Sequence, residues 1–126
     1  MIVVDTSALI AILLREPEAE RCTAVIARNA ELAMSAGTYA EALIVAQRRG
    51  MAREMTALLD GLDIEVWPLA AADARRVGDA YRLWGKGRHP AGLNFGDCFS
   101  YAAAKALDCP LLYVGEDFAR TDLEAA

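Results

Sequence analysis

Four carboxylates recur at corresponding places along this chain of 126 residues: Asp5, Glu41, Asp97 and Asp117. Asp5 follows directly on the apolar run Ile2-Val3-Val4. Glu41 comes shortly after Glu31-Leu32-Ala33-Met34-Ser35. Asp97 opens the alanine-rich run Phe99–Leu107, and Asp117 lies three residues beyond Val114. No Ser/His or Cys/His pair that could act as nucleophile and base accompanies them. Two carboxylates about 4 Å apart repel by about 4 kcal/mol at an effective dielectric of 20. Such a cluster must therefore take up a proton or a cation. Oxygen donors without a nearby His or Cys favour Mg²⁺ or Mn²⁺ over zinc. The lone His89 sits in a loop and reads as a surface or substrate contact, not as a ligand.

Taken singly, three of the acids have ordinary structural roles. Glu41 would complete a Thr-x-x-Glu capping box with Thr38. Asp97 would be the acidic third position of a helix capped by Asn94, where unpaired N–H groups and the helix dipole favour it. Asp117, in Gly-Glu-Asp-Phe, would be a turn or cap residue. Asp5 has no such role at the end of a strand, and the four together favour a metal site.

The elements that position these acids alternate. Ile2–Val4 is short, apolar and β-branched, a buried strand. Thr6 or Ser7 can cap a helix over Ala8–Leu14, which Pro17 stops or restarts. Cys22, Val25, Ile26 and Asn29 share one face of a second helix within Glu18–Ala30. Glu31–Ser35 is a second strand, and Thr38 opens a helix that runs to Arg49 and closes at Gly50. Met51, Met55, Leu58, Leu59 and Leu62 form a further amphipathic stripe. Ile64–Trp67 reads as an edge strand before Pro68. Val77, Ala80, Tyr81 and Trp84 mark a helix over Ala71–Trp84, Gly85–Gly92 is a loop, and Pro110–Val114 is a last buried strand. Strands separated by helices indicate βαβ units. The expected fold is one α/β domain over residues 1–126, three-layer α/β/α with a central, mostly parallel sheet. Ligands of such sheets sit beyond the carboxyl ends of the strands, where all four acids fall.

Composition agrees with a folded domain: 56% of residues are apolar and 25% charged. No apolar run approaches the roughly 20 residues that span a bilayer. The start of the chain lacks a basic region before its apolar run, so no signal peptide is expected. Cys22, Cys98 and Cys109, odd in number and without Cys-x-x-Cys spacing, are expected as reduced thiols of a cytoplasmic protein. The net charge of −5 speaks against a nucleic-acid partner. Without the four site acids, however, 14 acidic side chains face 13 basic ones, a balance of −1. A divalent cation would bring that to about +1, placed where a phosphate could use it. Arg48, Arg49 and Arg53 form one basic group, and Arg82, Lys86, Arg88 and His89 another. Each could track phosphates or simply face solvent. Ile10, Leu13, Leu14, Met51, Met55 and Leu58 are either core or the footing of a protein partner.

Val4-Asp5-Thr6-Ser7-Ala8-Leu9, Thr38-Tyr39-Ala40-Glu41, Leu93-Asn94-Phe95-Gly96-Asp97-Cys98 and Leu111–Phe118 together resemble the signature blocks of the PIN-domain ribonuclease toxins of VapBC toxin–antitoxin modules. The likeness covers essentially the whole chain. It implies a PIN-like fold, a Mg²⁺- or Mn²⁺-dependent endoribonuclease, a homodimer, and a cognate antitoxin lying over the active site. By position it implies Asp5 and Asp97 as principal metal ligands. Glu41 and Asp117 would complete the catalytic acidic set, with Thr6 and Asn94 in support. Val114 stands where relatives often carry Thr or Ser, and Glu116 where Asn or Asp is common. The expected chemistry is attack by metal-activated water on an RNA phosphodiester, leaving a 5′-phosphate and a 3′-hydroxyl. Glu41 or Asp117 would orient the water or take its proton.

Two alternatives stay open. A phosphatase or receiver domain also places an acid after a strand. The first wants a second Asp where Ser7 stands, and the second wants paired acids at the first strand and a late Lys. A catalytically degenerate PIN module would bind RNA or protein without cleaving it.

Overall fold

In the computed structural model, which describes all 126 residues, four strands form one parallel sheet in the order β3-β2-β1-β4. They are β1 (Ile2–Val4), β2 (Leu32–Ser35), β3 (Glu65–Trp67) and β4 (Leu111–Leu112). The helices are α1 (Thr6–Leu13), α2 (Ala19–Arg28), α3 (Ala36–Arg48), α4 (Ala52–Leu62), α5 (Ala71–Trp84) and α6 (Phe95–Leu107), followed by a 3₁₀ turn at Phe118–Arg120. None of the helices is long and apolar enough to cross a membrane.

The strand period of two divides the interior into two cores. Ile2, Val4, Leu32, Met34 and Leu112 face α1 to α4, where they meet Leu9, Cys22, Val25, Met55 and Leu59. Val3, Ala33 and Leu111 point to the opposite face, covered by α5 and α6 through Val77, Ala80, Cys98 and Tyr101. The result is the three-layer arrangement expected from the alternation of elements. Of the apolar residues left open above, four go into the first core. Met55 is fully buried, and Ile10, Leu13 and Leu58 pack half-buried against it. All three cysteines are free, Cys22 and Cys98 buried.

The edges differ in length and cover. β3 is the exposed edge anticipated before Pro68. β4 is shorter than the apolar run suggested: the ladder holds only Leu111 and Leu112, after which the chain peels away towards α1. The outer side of β4 is taken by the last residues of the chain. Leu111 donates its N–H to Glu124 (2.9 Å) and accepts from Ala126 (2.9 Å). That pairing blunts an edge that would otherwise offer free backbone groups.

Two helix starts differ from the sequence reading. α1 is capped by Asp5 itself, whose carboxylate accepts the Ser7 N–H (3.0 Å); Thr6 and Ser7 are already helical. α3 begins at Ala36, capped by Ser35, so Thr38 and Glu41 lie inside the helix and form no capping box. In both cases the strand runs straight into the helix with no intervening turn. The cap is therefore the last extended residue, a few positions earlier than propensity alone placed it.

Candidate active site

Asp5 is buried at the carboxyl end of the central strand β1, yet both its oxygens are engaged. Oδ1 accepts from the buried Ser100 hydroxyl of α6 (2.5 Å). Oδ2 accepts from the N–H (3.0 Å) and hydroxyl (2.7 Å) of Ser7. Ser7 in turn accepts the Val114 N–H (3.0 Å), and Ser100 bonds the Thr38 hydroxyl (3.0 Å). A buried carboxylate without such donors would be costly. This network fixes Asp5 in one orientation.

Asp97 sits at the third position of α6 in a reciprocal box with Asn94. Its N–H donates to Asn94 Oδ1 (2.8 Å), and its Oδ2 accepts the Asn94 N–H (3.0 Å). The local pattern Asn-x-x-Asp encodes this directly. Glu41, half-buried on α3, accepts from the Thr6 hydroxyl (2.9 Å). Its other oxygen packs against Gly96, where any side chain would collide with it.

Asp5, Glu41 and Asp97 line one cleft of about 340 Å³, with Thr6, Ser7 and Val114. Sequence reasoning had missed three contributors. Glu16, just beyond α1, adds a further carboxylate to the wall. Ser7 and Ser100 hold Asp5, and Ser100 reaches it from 95 residues away. Helical spacing from Asp97 (i, i+3) was the available signal for Ser100. Asp117, by contrast, is exposed at the start of the 3₁₀ turn and does not line the cleft. Its charge still reaches Asp97. Glu116 is likewise outside, facing a different hollow near the chain's end. His89 lies in the loop before α6, half-buried and off the cleft wall. Its Nδ1 accepts the Ala91 N–H (3.0 Å) and its ring meets Trp84 edge-on at 4.7 Å, so it shapes the loop before α6.

Burial, with the neighbouring charges added to it, raises the proton affinity of two of the acids. The Asp97 carboxyl is pushed up to about 7, first by burial and then by the charges of Asp5, Asp117 and Glu41, against the opposing pull of the Asn94 N–H. Glu41 is also raised, chiefly by burial and then by Asp5, while the Thr6 hydroxyl counteracts. The cleft offers oxygen donors only, with neither His nor Cys on its wall, a set that suits a hard divalent cation. The carboxylates share the cleft without closing into a ready ligand shell.

Residues 2–124 match the PIN domain family. A VapC ribonuclease of Mycobacterium bovis is 45% identical over 124 residues, covering 96% of this chain and 95% of the relative. The chain is a member of the PIN-domain family of VapC ribonucleases. A ribonuclease VapC of Mycolicibacterium smegmatis is 46% identical over 128 residues, covering 98% of each chain. Among solved structures, the fold is similar to that of Mycobacterium tuberculosis VapC20, described as a sarcin–ricin loop cleaving toxin. The TM-score is 0.80 at 17% identity, over 100% of this chain and 98% of the other. VapBC2 of Rickettsia felis, bound to a DNA fragment from its promoter, superimposes with a TM-score of 0.72 at 20% identity, over 100% and 98% of the two chains.

Proposed function

We propose that this PIN domain is the toxin of a VapBC-type toxin–antitoxin module, acting as a Mg²⁺- or Mn²⁺-dependent endoribonuclease. The observation that carries the reading is the convergence of Asp5, Glu41 and Asp97 on one oxygen-only cleft, in a chain whose relatives are VapC ribonucleases. When bound, the cation would supply Lewis-acid chemistry at the phosphodiester and make water a stronger nucleophile.

The chain's own groups divide the remaining work. Asp5 and Asp97 are the principal ligands. Asp5 is held rigid by Ser7 and Ser100, and Asp97 is aimed by the Asn94 box. Glu41, held by Thr6 and with its proton affinity raised, is placed to accept a proton from the attacking water. Asp117, outside the cleft, adds its charge to the burial and the Asp5 charge that raise the Asp97 proton affinity. Val114 brings no hydroxyl of its own to the wall; its N–H donates to the Ser7 hydroxyl, whose hydrogen goes to Asp5.

The partners are RNA, a cognate antitoxin and a second copy of the chain. Solved relatives include a toxin–antitoxin complex from Klebsiella pneumoniae, with a TM-score of 0.73 at 20% identity. Ile44, 51% exposed one turn beyond Glu41, supplies apolar footing for an antitoxin beside the cleft.

Incubation of purified, antitoxin-free protein with a mixed RNA pool tests the reading. Cleavage is expected with Mg²⁺ or Mn²⁺, and its loss in EDTA or in Asp97→Asn. Undiminished cutting in either of the last two would overturn the metal chemistry, and intact RNA with both cations would overturn the ribonuclease.

A further inference from the structure

Phe95 is the most exposed large apolar side chain of the molecule, at 76% of its surface. Its ring is nevertheless held in place. It meets Phe99, one turn on along α6, edge-to-face at 4.9 Å and 88°. Phe99 in turn rests on Gly37 of α3, where no side chain could fit beneath its ring. An aromatic ring braced on one side and open on the other does little for folding, since its apolar surface stays in water.

The open side looks onto a trough of about 630 Å³ between α5 and α6, within the range of ligand sites. The buried Val77 and Cys98 lie at its base, and the exposed Ala74, Gly78, Tyr81 and Phe95 line its sides. Gly78 carries weight here. A mid-helix glycine costs roughly 0.5–1 kcal/mol relative to alanine, and a Cβ there would meet only open space. The Tyr81 hydroxyl donates to the Lys86 carbonyl (3.0 Å), tying the wall to the loop before α6.

In a chain of net charge −5, no acid lines this trough, and Lys86 does. Arg120 donates to the Pro90 carbonyl (3.2 Å), which brings a further cation to the same loop. Asn94 also lines the trough while its side chain caps the helix at Asp97. The trough and the acid cleft therefore meet at the first turn of α6, which gives Asn94 and Phe95 to the one and Asp97 to the other.

We infer that Phe95, with Tyr81 opposite, forms a stacking platform for a base of single-stranded RNA next to the phosphate held at the acid cleft. The inference rests on the ribonuclease reading given above. Positive charge without acids suits a polyanion, and an exposed braced ring offers a face to any base. A second copy of the chain fits this face less well, because Tyr81 and Phe95 are its only large exposed apolar residues. A stable dimer buries roughly 800 Å² on each partner.

The test uses the full-length protein and a fluorescein-labelled single-stranded RNA that the wild type cleaves. Phe95→Ala should raise KM by about five-fold to a hundred-fold with a much smaller change in kcat. Phe95→Trp should restore KM, and Gly78→Leu, which adds bulk to the side of the trough, should behave like Phe95→Ala. An RNA series with one abasic nucleotide should show a single sensitive position next to the cut for wild type, and none for Phe95→Ala. Unaltered KM in both Phe95→Ala and Gly78→Leu, with wild-type cleavage intact, would overturn the platform and leave the ribonuclease standing. Dissociation of a dimer by Phe95→Ala, seen by sedimentation with KM unchanged, would overturn it too and make this face a protein interface. Failure of the wild type to cleave any RNA would instead remove the reading beneath it.

Discussion

A methyl group on Gly96 would fall on the Glu41 carboxylate. Gly96 is helical and close-packed, so its hydrogen serves proximity and not backbone freedom. The obstacle is the tip of a flexible side chain, which can swing away at little cost to folding. Gly96→Ala should therefore leave stability unchanged or raise it by up to about 1 kcal/mol through helix propensity. It should also lower kcat/KM by about ten-fold or more, because Glu41 is displaced from its bond to Thr6. Denaturant titration and RNA cleavage on the same sample check both halves. A variant that lost stability and activity together would mean that Glu41 cannot move.

Helix α6 is the element on which most of the site depends. Its N-terminal turn carries Phe95, Gly96 and Asp97. Its second turn carries Ser100 towards Asp5, and Tyr101 towards the end of the chain. The indole N–H of Trp84 donates to the Tyr101 hydroxyl (2.9 Å), which donates to Asp122 (2.6 Å), itself paired with Lys105 (2.9 Å). The Tyr101 bond, reinforced by Lys105, holds the Asp122 carboxyl below its ordinary range, while burial and Asp122 push the Tyr101 hydroxyl up to about 12. This chain of bonds ties α5, α6 and the C-terminal segment together beneath the loop of residues 85–92. Tyr101→Phe should leave the Trp84 N–H without its partner and cost about 1–3 kcal/mol, read as a lower denaturation midpoint with unchanged slope. An unchanged midpoint would mean that water replaces the hydroxyl in full.

At the scale of the whole molecule, the acid cleft sets fold stability against function. Asp97 holds its proton up to about pH 7, well above an ordinary aspartate. A carboxyl whose affinity for the proton rises on folding favours the folded state at low pH. That contribution is complete below the unfolded value near 3.8 and is lost as pH rises towards about 7. Above that, the native protein without metal carries ionised, mutually repelling acids. Asp97→Asn should therefore melt higher than wild type at pH 8 without divalent ions, with the difference shrinking towards pH 4. Mg²⁺ at about 100 times its dissociation constant should stabilise wild type by about 2.7 kcal/mol at pH 8, and Asp97→Asn far less. Thermal melts with Mg²⁺ or EDTA at both pH values decide it. An equal Mg²⁺-induced rise in the two proteins would place the cation elsewhere.

What the sequence determined by itself was what lies within a few residues or repeats with a fixed period. Period-two and helical apolar patterns gave the alternating elements and hence the layered parallel sheet. The Asn94–Asp97 spacing gave the cap that aims Asp97, because both partners sit on one turn. The shared rim position of Asp5, Glu41 and Asp97 followed from the parallel topology. Tertiary packing decided the rest, since those contacts join segments that no local rule connects. It brought Ser100 and Ser7 to Asp5, set Glu41 inside α3 where it makes no capping box with Thr38, and added Glu16. It also left Asp117 outside and kept Phe95 in the open. Spacing along a chain fixes which side chains share an element, whereas only the way the elements pack fixes which side chains share a cleft.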